Sequence, residues 1–294
     1  MGELRSFAEV REYLLDVVEA TESYAKRPAA FAEGSNTWRD FRRGEFTLED
    51  HSELGLQVTL KAARSLMLSA DMMRGIAELV VVEKAVFSII ALIRPAIVAA
   101  ARSSYLTDST IDAAERVRRW ANLRLESLVE EANFYADGHE QRVRLEDQVQ
   151  RFEALAGQLG EPLLVIGGRR HGRVAKRSIG RHPAEMMMVR ALVGASESHY
   201  DLALYRLASS VLHDHDYGQI MHFHPDELSP DTPLADLVMP VRIDLETAHL
   251  WIAAAAIALA ESTHSFVVHQ GHPTDEILEL MRLVGGELRS LLTR

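Results

Sequence analysis

The 294-residue chain contains no cysteine. Disulfides, thiolate metal centres and a cysteine nucleophile are excluded by that absence. Long apolar runs are also missing. The two longest, over 250–260 and 85–93, are about half of the roughly 20 residues a membrane-crossing helix needs. Both are expected as buried helices, and no membrane association is expected. The opening MGELRSFAEVREYLL is charged throughout and holds no apolar stretch with a cleavage site, so no secretory signal is expected and the cytoplasm is the expected location. No P-loop, nucleophile elbow or H-E-x-x-H is present, and the glycine-rich GGRRHG follows no strand–turn–helix context that would make it a dinucleotide fingerprint. There is no repeat of fixed period. Regular short buried strands between helices, which a doubly wound fold requires, are absent as well.

The residues that are present form helical patterns nearly throughout, so the expected fold is an all-α bundle in one domain spanning 1–294. Hydrophobic residues make up 47% and charged residues 26%, enough to bury a substantial core in a globular protein. Ser6 and Glu9 form a capping box opening a helix through about Lys26. Residues 27–46 read as a connector resting on the core through Phe31, Trp38 and Phe41. Thr47 and Asp50 mark the next helix start, with apolar periodicity to about Met73. From Arg74 to Leu106 the pattern stays helical, and Pro95 predicts a kink or restart, because proline removes one backbone bond and clashes with the preceding turn.

Ser109 and Asp112 suit the cap of a further helix. Gly138 separates it from a polar amphipathic helix, and the pair predicts a charged helical hairpin over 109–159 projecting from the body. Residues 160–183 combine a β-prone run, glycines and cations, and predict an inserted loop or small hairpin. Helices are expected again over 184–192 and 200–213. A long apolar helix follows, with Asp244 and Thr247 near its start and Thr263 or His264 near its end, and a last helix runs from Thr274 to Leu292.

YRLASSVLHDHDYGQIMHFH, residues 205–224, holds four of the thirteen histidines. His199, Arg206 and His213 are spaced by seven, nearly two helical turns, and so share a face. Ser209 and Ser210 lie on neighbouring parts of it. Arginine offers a planar fork to phosphate, and histidine exchanges a proton near neutral pH. These are the groups needed to cleave a phosphodiester whose own 2′-hydroxyl attacks, without a metal. Arg206 and His213 are the candidate catalytic pair, with His199, Tyr205, Ser209, Ser210 and Asp214 as candidate supporting residues. No cofactor is expected. An ordinary polar helix end is the competing reading, since His213 also suits a helix C-terminus.

The insert carries Arg169, Arg170, Arg173, Lys176 and Arg177, a candidate nucleic-acid contact. In a chain of net charge −11, wholesale coating of nucleic acid is disfavoured, but a local basic patch is not. A weaker alternative makes His213, His215, His222 and His224 ligands of a divalent ion. Two E-x-x-H matches, Glu246 with His249 and Glu261 with His264, fall on one predicted helix roughly 22 Å apart and cannot share a metal within the chain.

LYRLASSVLHD resembles the Y-R-L-x-S-x-x-x-H-G segment of a group of uncharacterised helical proteins from actinobacteria. LIRPAIVAAARSSYLTD and ERVRRWANLRLESL resemble their R-P-A-x-E-A-A-A-R and E-R-V-R-R stretches. Val98 stands where that group favours glutamate, and Asp214 where it favours glycine. The likeness covers roughly 85–130 and 200–216. More distantly, the R-x6-H of Arg206 and His213 resembles the R-x4–6-H motif of HEPN-type helical domains, although Leu207 replaces the polar residue favoured after the arginine. That resemblance implies RNA binding or a metal-independent endoribonuclease of toxin or defence systems. It also implies a site formed across a homodimer, with Arg206 holding phosphate and His213 acting as acid–base. Two alternatives stand beside it. One is a non-catalytic homo-oligomeric interaction protein, assembled through the helix around Trp251 and the charged hairpin. The other is a histidine-rich metal or small-molecule binding bundle.

Overall fold

The computed structural model describes residues 6–27, 32–43, 46–48, 53–82, 85–166, 173–193 and 245–282. About three quarters of these are helical, as the sequence patterns predict, and the strands form one small two-stranded sheet. In chain order the elements are α1 (Phe7–Ala25), α2 (Asn36–Arg43), α3 (Leu54–Val80), α4 (Val86–Thr107), α5 (Ala113–Ala132), α6 (Glu140–Gln158), β1 (Leu163–Ile166), β2 (Lys176–Ile179), α7 (Glu185–Val193) and α8 (Leu245–Gln270), with helical residues 275–282 as α9.

α1 begins where the capping box predicts. The Ser6 amide donates to Glu9 Oε2 at 2.7 Å, and the Glu9 amide to Ser6 Oγ at 3.3 Å. Val10, Leu14, Val17, Val18, Thr21 and Tyr24 recur at helical spacing and are buried, forming the stripe that packs on α3 and α8. α3 and α4 form the central antiparallel pair, and α8 lies across both. Small residues let these backbones approach. Ser69 Oγ donates to the Ala96 carbonyl at 2.9 Å, Ser262 Oγ to the Ala100 carbonyl at 2.9 Å, and the Thr21 and Thr263 hydroxyls meet at 3.0 Å. Each hydroxyl is thus satisfied inside the core, where an unpaired one would be costly. The apolar segments Ser88–Thr107 and Trp251–Gln270 reach the length and hydropathy of a membrane span, and more than half of each is buried against the rest of the chain, as in a core helix.

Several boundaries differ from expectation. Pro95 lies inside an uninterrupted α4. Its missing amide is a local cost, offset by burial of Ile90, Ile93, Ala96, Ile97 and Ala100 around it. α3 starts at Leu54 rather than at Thr47, whose amide and carbonyl are instead paired with the Gln158 side chain of α6, both at 3.0 Å. It ends at Val80, beyond Met73. α8 continues past His264 to Gln270, where Gly271 takes φ 74°.

The 27–46 connector contains α2, capped by Ser35, whose Oγ accepts from the Trp38 amide at 3.1 Å. Trp38 is only half-buried and Phe41 is 44% exposed, while Phe31 lies outside the described residues. The anchor is polar instead. Asp40 receives a two-pronged contact from Arg116 of α5, Nε to Oδ2 at 2.6 Å and Nη2 to Oδ1 at 2.8 Å, with both side chains at most 3% exposed. Thr37 Oγ1 donates to the His269 carbonyl. Gly55 permits this approach, since a Cβ there would stand 2.6 Å from the Asp40 carbonyl oxygen.

The hairpin over 109–159 is present. Asp112 caps α5 by accepting from the Glu115 amide, and Gly138 breaks the pair at φ 80°. It does not project as a unit: α5 packs on α3, α4, α2 and β2, and only α6 forms an outer layer on α5. The insert is an antiparallel hairpin with Leu163 opposite Ile179 and Ile166 opposite Lys176. It is fastened to α5 by Asn122, which accepts from the Ile179 amide at 2.7 Å and donates to its carbonyl at 3.1 Å, as a neighbouring strand would. Arg118 Nη1 also donates to the carbonyls of Ile179 and Arg181.

Where α2, α5 and α8 meet, His269 is fully buried. Neither ring nitrogen has a hydrogen-bond partner among the described residues. Burial and the nearby Arg116 charge push its pKa down to about 3.

Candidate functional site

The candidate catalytic residues Arg206 and His213 lie outside the described residues. So do His199, Tyr205, Ser209, Ser210 and Asp214, the alternative metal ligands His215, His222 and His224, and the insert cations Arg169 and Arg170. Arg173, Lys176 and Arg177 are described. Arg173 is exposed, Arg177 is half-buried, and Lys176 sits 3.4 Å from Glu130 on the surface of α5. Glu261 and His264 lie on the single continuous helix α8, so the two E-x-x-H matches do stack along one axis. Among the described residues no three His, Cys, Asp or Glu side chains converge as metal ligands.

Two other arrangements emerge. The first is a basic face. In the antiparallel α3/α4 pair, Ser69 meets Ala96 and Gly75 meets Leu92, and that register brings Lys61 and Arg64 to the level of Arg102. Arg124 of α5 joins them, and its charge, with those of Arg102 and Arg64, acts on Lys61. Burial first, and then these three like charges, hold the Lys61 ammonium below its ordinary pKa, with Glu126 opposing. Arg102 reaches Glu126 and Glu185 only at 3.5 Å, and Arg94 shares Glu185 at 3.2 Å. Arg102 Nε is buried without a partner among the described residues. Lys61, Arg64 and Arg124 make no ion pair among the described residues. Among the described residues, Lys61, Arg64, Arg102 and Arg124 therefore act on one another with Glu126 as the carboxylate that opposes them at Lys61. A further carboxylate or an external anion would relieve this repulsion.

The second is a cavity of about 490 Å³ bounded by α4, α5, α7 and α8. Its apolar wall is Ala101, Met187, Met188, Ala191, Leu192 and Val268. Its polar groups are Ser104, Tyr105, Asp108, Ser109, Arg119, Glu261, His264 and Ser265. Arg119 is held through its Nε and Nη1. It bonds Glu115 and the Tyr105 carbonyl, sits 3.2 Å from Asp108, and stacks 4.3 Å over the Tyr105 ring. Burial favours the neutral form of Asp108, but hydrogen bonds from Thr110 and the contact with Arg119 outweigh it and lower the carboxyl pKa. Burial raises the Tyr105 phenol against the pull of Arg119 and Arg118. Glu261 differs from Asp108: burial alone acts on it and raises its carboxyl, and burial alone lowers His264. Ser265 is not poised as a nucleophile, because its hydroxyl is paired with Thr107 at 2.9 Å.

The E-x-x-H spacing drew attention to Glu261 and His264, although the two such pairs cannot share a metal within the chain, and the geometry places these two residues on a cavity wall. Lys61, Arg64 and Arg124 were not singled out by sequence. Their only local signal is the i, i+3 spacing of the first two, since the cluster spans three helices. No known protein family matches the chain, and no curated protein or solved structure is significantly similar to it.

Proposed function

We propose that this protein binds RNA by its phosphate backbone and acts as an HEPN-like, metal-independent endoribonuclease through Arg206 and His213, as a homodimer in the cytoplasm. The observation that carries the binding part is the basic face on α3, α4 and α5. Lys61, Arg64 and Arg124 have no carboxylate partner among the described residues, in a chain of net charge −11. Unpaired cations held close together store repulsion that a polyanion relieves, and displaced counterions add to the affinity. Arg173, Lys176 and Arg177 supply further cations from the hairpin docked on α5. The cleavage part rests on the R-x6-H resemblance and the all-helical fold.

The test is a mixed RNA pool incubated in EDTA with wild type, Arg206→Ala and His213→Ala. Cleavage by wild type that both substitutions abolish supports the catalytic role; intact RNA with wild type counts against it. Binding is measured separately on single-stranded RNA across salt concentrations. Each lost phosphate contact lowers the slope of log K against log salt by about 0.7, so Lys61→Ala/Arg64→Ala/Arg124→Ala lowers it by about 2. An unchanged slope removes the basic face from the reading.

A second reading, non-catalytic assembly, has its own observation. Phe134 is 85% exposed at the α5–α6 turn, and Leu164, Val165 and Ile166 of β1 are each more than 40% exposed. Such apolar surface suits an interface, and native mass spectrometry showing only monomer speaks against it.

A further inference from the structure

We propose that the cavity between α4, α5, α7 and α8 is a binding site for a small organic amine, with Glu261 as the counter-ion and the methionines of α7 holding an apolar or aromatic body. The cavity's volume of about 490 Å³ lies within the range that encloses a small ligand. Its walls are mostly apolar, so the polar groups decide which ligand is accepted.

Charge selects the head group. Among the described residues Arg119 is the one permanent cation on the wall; its Nε and Nη1 bond Glu115, Asp108 and the Tyr105 carbonyl, so two carboxylates lie against its charge. Asp108 is neutralised in return. Glu261 projects from α8 with no hydrogen bond and no ion pair among the described residues. It is half-buried, and no charged neighbour acts on it. His264, one turn further on, makes no ion pair with it, and burial lowers its pKa. Among the described residues the wall therefore presents one uncompensated carboxyl and no cation without a carboxylate beside it. A carboxylate ligand would meet repulsion, and a neutral one would leave Glu261 unpaired. A protonated amine supplies both the charge and the donors that Glu261 lacks, a stronger contact than between neutral groups.

The apolar part selects the body. Met187 and Met188 lie on α7, opposite Val268 of α8 and Ala101 of α4. Thioethers make favourable contacts with aromatic rings and adapt to irregular shapes. A ring one or two methylenes from the amine supplies such a body.

This site is separate from the proposed RNA contact: none of Lys61, Arg64 or Arg124 lines it. The experiment uses three probes with one phenyl body, 2-phenylethylamine, 2-phenylethanol and 3-phenylpropionate, titrated calorimetrically into the full chain at neutral pH. Methionine methyl signals are followed by NMR. Wild type binds the amine at least about tenfold more tightly than the alcohol and does not bind the carboxylate, and the Met187 and Met188 methyls shift. Glu261→Gln loses that preference while its affinity for the alcohol is unchanged. Ala191→Trp fills the cavity from the α7 side and abolishes both, which separates loss of the site from loss of the counter-ion. Lys61→Ala changes nothing. Equal affinity for amine and alcohol, no binding at millimolar amine, or an unaltered preference in Glu261→Gln each overturns the proposal.

Discussion

Acid should weaken this fold through one residue. His269 is fully buried at the end of α8, with neither ring nitrogen bonded among the described residues and a pKa of about 3. In the unfolded chain the same imidazole titrates near 6.5. Because the folded value is the lower one, the folded state keeps the ring neutral while the unfolded state takes up a proton. Above about pH 6.5 neither state binds it, and His269 adds no pH dependence. Below that, stability falls by about 1.4 kcal/mol per pH unit until the folded pKa is reached, so about 2 kcal/mol is gone by about pH 5. That is a large part of a typical stability of roughly 5–15 kcal/mol. The comparison variant is His269→Met, of similar volume and without a titrating group. Urea unfolding followed by circular dichroism is run at neutral pH and at about pH 5. At neutral pH the variant is within about 1 kcal/mol of wild type or better, since it removes a polar ring without a partner among the described residues. At about pH 5 it is the more stable by about 2 kcal/mol. The other histidines titrate in both proteins and cancel in the difference. Parallel pH dependences would refute the reasoning. So would a loss of about 3 kcal/mol or more at neutral pH, which would mean the imidazole is well bonded.

Two further outcomes follow from the packing. Asp40→Ala strands the Arg116 guanidinium in a site where both partners are at most 3% exposed, and costs about 3–5 kcal/mol in urea unfolding. Asp40→Leu/Arg116→Met recovers most of that loss. Asn122→Ala removes both bonds to the Ile179 backbone and speeds hydrogen exchange at the Ile179 amide, with a stability loss of about 1–3 kcal/mol. Unchanged exchange there would mean the β1–β2 hairpin is held by its apolar contacts alone.

Sequence reasoning succeeded where the deciding groups are close in the chain. Ser6 and Glu9 cap each other across three residues, Asp112 caps α5 across three, and Gly138 turns the chain at a conformation other residues avoid. The same approach failed where distant partners decide. α2 looked like a connector because its local pattern is weak. It is held by Asp40 to Arg116, 76 residues on, and by Thr37 to His269, 232 residues on. The aromatic residues Trp38 and Phe41 were the natural anchors by hydrophobicity, yet the polar side chains are the ones inside. Thr47 resembled a helix cap until Gln158 claimed its backbone from 111 residues away.

The site divides along the same line. Glu261 and His264 were visible as a spaced pair, but their spacing carries no information about what faces them, and α4 and α7 make that place a cavity wall. The basic face could not be read at all, because Lys61, Arg102 and Arg124 come from three helices separated by twenty to forty residues.

Helical periodicity, caps and the absence of cysteine and of regular strands determined by themselves that this is a helical protein with a small basic hairpin. These are properties of neighbours along the chain, set by backbone hydrogen bonding and side-chain spacing. Tertiary packing decided which charges end up paired, which stay bare and which space stays open, because electrostatic and packing energies depend on distance through space. That is why the basic face of Lys61, Arg64 and Arg124, and the Glu261 carboxyl with no partner among the described residues, appear only once the helices are assembled.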